Sequence, residues 1–255
     1  MSGGKYNIIW VAKMGMFRQE NSTNRYELLN HLDKYENIRV VNDLKQRDLK
    51  KKIDDFAKQG WKTDVVIYYG VSYSEKWRDI AIKNFIGVEC RKLLFFEDFH
   101  YHKLVIEMYK KYRFDGLLHP LKHGILDGIY RQLGLKVYNY GFFIDENNFK
   151  DWGVKKDIDI LMYGYIHPTM YPLRLKIKQV LDWIIKNTQY KVKIINHPGY
   201  QDKAILLDLP REANLSKLIA RSRFSIATGS IRKIAVKKYM EIPMSGTIVI
   251  GDIPP

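Results

Sequence analysis

The sequence is almost devoid of cysteine, since Cys90 is the only one among 255 residues. One thiol cannot form an intramolecular disulfide or a cysteine-rich zinc site, which excludes a disulfide-stapled secreted domain. There is also no apolar run of about 18 residues, the length that a membrane-spanning helix needs, and no signal-peptide pattern at the start. These absences predict a cytoplasmic protein without a transmembrane segment.

Acidic residues are scarce beside basic ones, because 28 Asp and Glu accompany 43 Lys and Arg, which gives a net charge of +15. The excess is +6 over residues 1–154 and +9 over residues 155–255. Such a bias favours an anionic partner, and its concentration in the second half suits a phosphate-bearing ligand there. Charge alone leaves nucleic acid, an anionic membrane surface and solvated helix faces open as alternatives.

Several familiar phosphate and metal motifs are missing as well. The sequence has neither a P-loop nor a Gly-x-Gly-x-x-Gly fingerprint, which argues against nucleoside-triphosphate hydrolysis and nicotinamide chemistry. Asp157 and Asp159 form an Asp-x-Asp pair. They precede an apolar run, however, whereas ligands in open α/β sheets bind beyond the carboxyl ends of the strands. We therefore expect no metal site and no cofactor.

The remaining sequence alternates apolar segments of strand length with amphipathic segments, a pattern typical of βαβ units and parallel sheets. It predicts an α/β fold with two Rossmann-like domains, residues 1–150 and 151–255. In the first domain we predict strands at 6–12, 38–41, 64–69, 92–96, 116–119 and 136–140, and helices at 24–35, 44–59, 74–84 and 102–112. In the second we predict strands at 158–163, 191–196, 224–228 and 247–250, and helices from 172, at 215–222 and at 235–240.

The helix that starts at Pro172 has the clearest pattern. Proline is favoured at a first helical position. Five apolar residues at spacings of three and four predict its buried face: Leu173, Ile177, Val180, Leu181 and Ile184.

Polar groups follow the predicted strand at 92–96, where an α/β crevice receives its ligands. Asp98 and His100 are therefore candidate catalytic residues. The alternative is a capped turn in which Asp98 is the N-cap of the next helix.

A second candidate stretch joins the predicted strand at 224–228 to the helix at 235–240 through small residues and two cations. It contains Gly229, Ser230, Arg232 and Lys233. Free backbone N–H groups at such a junction, together with the cations, would hold a diphosphate. A flexible loop with solvated cations is the alternative.

Residues 237–252, KKYMEIPMSGTIVIGD, are the most specific string in the chain. The string resembles a signature of GT-B glycosyltransferases of the group-1-like kind, including the spore-maturation-type branch. The resemblance implies that Glu241 holds the ribose hydroxyls of a sugar-nucleotide donor and that Lys238 belongs to the donor site. The alternative for Glu241 is a carboxylate on a helix surface.

Other segments are similar to the same family. Residues 141–149 look like its connection between lobes, and the Tyr-Pro-x-Arg stretch ending at Arg174 looks like the opening of its second lobe. By the same resemblance Gly15 lies in a loop facing the donor, and Asp98 and His100 lie near the reacting sugar. Lys233 departs from the pattern, because retaining members carry a glutamate there. The resemblance favours retention of configuration.

The resemblance thus implies a metal-independent hexosyltransferase-like enzyme of the GT-B fold, whose two Rossmann-like domains face each other across a cleft. It would move a sugar from a UDP- or GDP-sugar to a hydroxyl of a carbohydrate or glycoconjugate acceptor. One alternative is an inactive sugar-nucleotide binder, and another is a nucleic-acid-binding protein. The sequence does not favour nucleic acid, because it has no RNA- or DNA-binding motif. Its tryptophans in or beside amphipathic segments also indicate core packing: Trp61, Trp77 and Trp183.

Overall fold

A computed structural model describes residues 5–12, 32, 34, 36–41, 48–69, 82–96, 102–119, 124–141, 144–196, 212–231 and 234–252. The chain divides into two compact units, Met1–Gly141 and Phe142–Pro255. Each unit contains one sheet of parallel strands with helices in the connections. This confirms the predicted α/β class with Rossmann-like units. In the part of the chain that the structure describes, no helix is both long and apolar enough to cross a membrane.

The first unit has a six-stranded sheet in the order β2-β1-β3-β4-β5-β6. Its strands are β1 (Asn7–Val11), β2 (Asn37–Val41), β3 (Val65–Tyr69), β4 (Arg91–Phe95), β5 (Gly116–His119) and β6 (Lys136–Asn139). Its described residues include the helices α1 (Leu49–Lys58), α2 (His102–Tyr112) and α3 (Gly124–Gln132), whereas the predicted helices at 24–35 and 74–84 fall almost entirely outside the described residues. Aromatic rings from three strands, Trp10, Tyr69 and Phe95, stack in the core of this sheet.

The second unit has a four-stranded sheet in the order β10-β9-β7-β8. The strands are β7 (Ile158–Gly164), β8 (Val192–Asn196), β9 (Ser222–Ala227) and β10 (Ile248–Gly251), and the helices are α4 (Pro172–Asn187), α5 (Glu212–Ala220) and α6 (Lys238–Met244). Leu161 and Tyr163 of β7 pack with Ile219 of α5 and Ile242 of α6, whereas Met162 packs with Leu181 of α4. Strand β7 therefore has a helix-covered core on both faces, since its side chains alternate.

Helix α3 is absent from the sequence predictions. Its sequence, GILDGIYRQ, contains two glycines, which lower intrinsic helix propensity. Tertiary packing supplies the missing stability, because Tyr130 of this helix is fully buried.

The predicted buried face of α4 is only partly right. Leu181 is buried, but Val180 is 57% exposed and Leu173 is also exposed. The buried residues Arg174 and Leu181 are seven positions apart, so that the buried face is centred on them and Val180, about 100° around the helix from Leu181, lies outside it. Trp183 is 60% exposed, which corrects the expectation that it packs in the core. Trp61 is half-buried against Phe56, and Trp77 lies outside the described residues.

Helix α6 begins and ends later than the predicted span of 235–240. It includes Pro243 in its last turn, where proline cannot donate the i→i−4 hydrogen bond to Tyr239 O. A Schellman motif closes the helix: Thr247 N donates to Ile242 O and Gly246 N to Pro243 O, with Gly246 at φ +70°. The later span matters because it places Glu241 near the centre of the helix.

Candidate functional site

Glu241 lies on the inner side of α6 and is only 9% exposed. Its carboxylate accepts a hydrogen bond of 2.9 Å to Oε2 from the hydroxyl of Tyr163, the penultimate residue of β7. The two residues are 78 positions apart in the sequence. Glu241 is therefore a buried, oriented carboxylate rather than a group on a helix surface.

Lys238 precedes Glu241 by about one helical turn and meets the same tyrosine. Its Nζ donates a hydrogen bond to the backbone oxygen of Tyr163 and lies 4.1 Å from the centre of the tyrosine ring. The neighbouring residue, Gly164, has φ +107°, and a Cβ there would lie 3.1 Å from Lys238 Cε. The backbone conformation at the end of β7 thus favours glycine, and the absence of a Cβ also leaves space for the lysine.

Arg174 of α4 is the third charged group and is 4% exposed. Its Nε and Nη2 donate to Thr228 Oγ1 (3.1 Å) and Thr228 O (3.0 Å), and its Nη1 donates to Tyr165 O (2.7 Å). The guanidinium also lies over the ring of Tyr171 at 4.0 Å. Arg174 therefore connects the segments that follow β7 and β9, and it contributes positive charge from a fixed position.

We call Tyr163, Gly164, Arg174, Lys238 and Glu241 the Glu241 cluster. It lies at the carboxyl edge of a parallel sheet, which is where such sheets bind their ligands. Gly164 lies beside both cations, since a Cβ there would be 3.5 Å from Arg174 Nη1 and nearer still to Lys238. Two basic side chains therefore accompany one carboxylate, an arrangement that favours an anionic ligand carrying hydroxyl groups.

Burial changes the proton affinity of these groups. Desolvation raises the pKa of Glu241, partly offset by Lys237, by the hydrogen bond from Tyr163 and by Lys238. Desolvation and the nearby Arg174 lower the pKa of Lys238 well below its usual value. Desolvation and Glu241 raise the pKa of Tyr163, so that the phenol stays a hydrogen-bond donor. Perturbed values of this kind are common at functional sites.

The turn after β9 contains the two predicted donor residues Gly229 and Ser230. The amide of Gly229 donates to Asp252 Oδ1 at 2.9 Å, and that of Ile231 donates to Met170 O at 3.0 Å. Helix α6 begins only at Lys238. The expectation that these amides are free at a helix start is therefore wrong for Gly229 and Ile231, because the loop is longer and its amides bind protein oxygens.

A chain of hydrogen bonds supports α6 from behind. Ser245 Oγ donates to the backbone oxygen of Glu241 at 2.8 Å and is 3.0 Å from Ser216 Oγ. Ser216 Oγ in turn accepts from Trp152 Nε1 at 3.0 Å. Sequence reasoning missed these residues and Tyr163, because they meet only across long sequence separations and match no motif.

Compared with known protein families the chain matches none, and it has no significant sequence match among characterised proteins.

Five predicted site residues lie outside the described part of the chain: Gly15, Asp98, His100, Arg232 and Lys233. Their roles stay predictions. The described residues bring together Arg174, Lys238 and Glu241, and Arg174 links them to the turn of Gly229 and Ser230 through Thr228.

At the opposite end of β7, Asp157 and Asp159 pair with arginines. Asp157 receives two hydrogen bonds from Arg221, and Asp159 Oδ1 is 3.3 Å from Arg223 Nε. Among the residues that the structure describes, no three His, Cys, Asp or Glu side chains form a group that could hold a metal ion.

Proposed function

We propose that this chain is a glycosyltransferase of the GT-B class, in which the second unit binds a nucleoside diphosphate sugar and the sugar passes to an acceptor hydroxyl with retention of configuration. In that class two Rossmann-like units face each other across a cleft, and the proposal extends to this arrangement. The observation that carries it is the buried Glu241 carboxylate, oriented by Tyr163 beside Lys238 at the carboxyl edge of a parallel sheet.

The chemistry of the donor matches the chemistry of the cluster. An ionised carboxylate accepts hydrogen bonds from two neighbouring hydroxyls, such as those of a ribose. Protonated Lys238 is a point charge suited to phosphate, and an anionic phosphate beside it would counteract the lowering of its pKa by burial and Arg174. At least three of the five N–H donors of Arg174 bind Thr228 and Tyr165, and we assign this residue an electrostatic part in holding the diphosphate.

In the proposed reaction, negative charge grows on the diphosphate as its bond to the sugar breaks. Fixed positive charge in a site of low polarity stabilises that charge more in the transition state than in the ground state. Lys238 and Arg174 would supply it from the described residues, and Arg232 and Lys233 remain predicted contributors. No metal ion takes part in the proposed step.

The acceptor side rests on sequence prediction alone. Asp98 or His100 would orient the acceptor hydroxyl or remove its proton, a role that requires hydrogen-bond reach and a pKa near neutrality. The donor side is therefore the place to test the proposal first.

Titration calorimetry with UDP-sugars and GDP-sugars tests it. We expect the wild-type protein to bind one class, and Glu241→Ala to weaken binding by about 100-fold, since two hydrogen bonds to a charged group are lost. Glu146→Ala is the matched control, because that glutamate is exposed in the same unit. Absence of heat with every sugar nucleotide, or an unchanged affinity of Glu241→Ala, would contradict the proposal.

Two further measurements separate the rivals. A gel shift with RNA and DNA at increasing salt tests nucleic-acid binding, which weakens steeply as salt rises. A donor-hydrolysis assay distinguishes an enzyme from an inactive sugar-nucleotide binder.

A further inference from the structure

Tyr163 contacts both Glu241 and Lys238, the two groups that would hold the donor in the proposed function. Its hydroxyl holds Glu241 Oε2 at 2.9 Å, while its backbone oxygen and ring face hold Lys238. The residue itself belongs to β7 and is buried in the core formed with α5 and α6.

We infer that Tyr163 is a positioning residue for donor binding, which fixes the carboxylate of Glu241 for hydroxyl recognition and the ammonium of Lys238 for phosphate recognition. This inference rests on the proposed function and adds a residue to it. Tyr163 uses one of about four acceptor positions of the carboxylate, so that its hydrogen bond does not by itself exhaust the capacity of Glu241 to accept others. The phenol therefore orients Glu241 without displacing the donor.

Tyr163→Phe isolates the hydroxyl, because it keeps the ring that packs in the core and covers Lys238. We expect this variant to bind the sugar nucleotide about tenfold more weakly, the loss typical of one hydrogen bond to a charged group. Tyr190→Phe is the matched control: its ring is 61% exposed in the same unit, and its affinity should equal that of wild type.

A double-mutant cycle shows whether the effect passes through Glu241. In a Glu241→Gln background, Tyr163→Phe should change affinity by less than about twofold, because the charged acceptor is already gone. A full tenfold loss in that background would assign Tyr163 a different role.

The pH dependence of donor binding distinguishes a positioning role from a purely structural one, because a purely structural role of Tyr163 would leave the midpoint of that dependence unchanged. The groups facing Glu241 are Tyr163 on β7 and Lys237 and Lys238 on α6, and Arg174 on α4 acts on Lys238. Removing the phenol removes a stabilising hydrogen bond from the ionised carboxylate, so that acid should abolish binding at a higher pH in Tyr163→Phe than in wild type. A sugar-capped diphosphate is the probe, since it lacks the second phosphate ionisation near pH ~6.

A measurement without ligand separates this inference from the proposed function. In ¹³C NMR the Cζ signal of Tyr163 in the wild-type protein should follow the titration of the Glu241 carboxyl, and the Glu241 midpoint should rise in Tyr163→Phe. A Cζ signal that ignores that titration, an unshifted midpoint, or equal or tighter binding by Tyr163→Phe overturns the inference alone. Absence of binding by the wild-type protein overturns the proposed function.

Discussion

The two ends of strand β7 carry the same kinds of side chain in opposite surroundings. At the amino end, Asp157 and Asp159 pair with arginines that are largely exposed to solvent. At the carboxyl end, Glu241 and Arg174 are buried, with Lys238 packed beside them. The first arrangement is typical of surface ion pairs, which contribute little to stability. The second forces charged groups out of water, which proteins tolerate chiefly where the groups are hydrogen-bonded or used for function.

The opposite directions of the pKa shifts reflect this difference. Hydrogen bonding to Arg221 lowers the pKa of Asp157, because the ion pair stays in water and favours the charged form. Burial raises the pKa of Glu241, because desolvation opposes the charged form more than its neighbours favour it. A carboxylate that has lost its hydration is stabilised by a ligand that donates hydrogen bonds to it.

The largest expected effect comes from removing the buried cation. Arg174→Ala should destabilise the second unit by about 3 kcal/mol or more, because the oxygens of Thr228 and Tyr165 lose their donors in a buried place. Hydrogen exchange of the β7 and β9 amides measures this directly. Arg221→Ala at the other end of the strand is the control and should leave that exchange nearly unchanged. Equal effects of the two variants would remove the contrast between the ends.

A smaller loss of stability is expected from replacing Gly164, the glycine beside Lys238. Gly164 and Gly153 both have positive φ values, +107° and +61°, so that alanine strains the backbone at either site. Only at Gly164 would the added Cβ also meet Lys238 and Arg174, whereas nothing lies within 4 Å at Gly153.

Gly164→Ala should therefore lose about 1 kcal/mol more stability than Gly153→Ala, as estimated for added steric strain. It should also weaken binding of the sugar nucleotide, because Lys238 has to move. Denaturant unfolding and calorimetry of the two variants check this. Equal affinities would show that the position of Lys238 does not matter for binding.

The sequence was sufficient to predict the regular part of this architecture. Alternation of apolar strands and amphipathic helices is a local pattern, so that the parallel sheets and most of their elements follow from it. The prediction of helices was weaker where local and tertiary preferences disagree, as in glycine-containing α3 and in α6 around Pro243. The exposure of Trp183 has a similar cause. Periodicity predicts that a helix has an apolar face, but it does not predict how far around the helix the packing of other elements extends.

The site was harder to predict because it depends on contacts between distant positions. Glu241 and Lys238 were found through the motif in which they lie. Their partner Tyr163 is 78 positions from Glu241, and Thr228 is 54 positions from Arg174. No spacing rule links such residues, since the sheet order brings them together only after folding. A tyrosine at the end of a buried strand was the one signal available, and it is equally typical of a core residue.

The smallest expected effect concerns the pH dependence of stability, where the two ends of β7 should differ in sign. The folded-state pKa of Glu241 lies above its ordinary value of 4.5, so that the native state binds more protons than the unfolded state between these two values. Stability therefore falls as the pH rises through this window, and the cost persists at neutral pH. Glu241→Gln removes the buried charge and should be more stable than wild type at neutral pH, with a difference that shrinks toward pH about 4.

The other end of the strand provides the matched comparison. The folded-state pKa of Asp157 lies below its ordinary value of 3.8, so that its contribution is present above that value and is lost as the pH falls through the folded pKa. Asp157→Asn should therefore be slightly less stable than wild type at neutral pH, and this deficit should vanish in acid. Denaturant unfolding of both variants across the acid range measures the two trends. A loss of stability in Glu241→Gln at neutral pH would contradict this expectation. It would mean that attraction by the nearby lysines stabilises the ionised carboxylate by more than its desolvation costs. The carboxylate would then be a structural counter-ion and not a group held ready for a ligand.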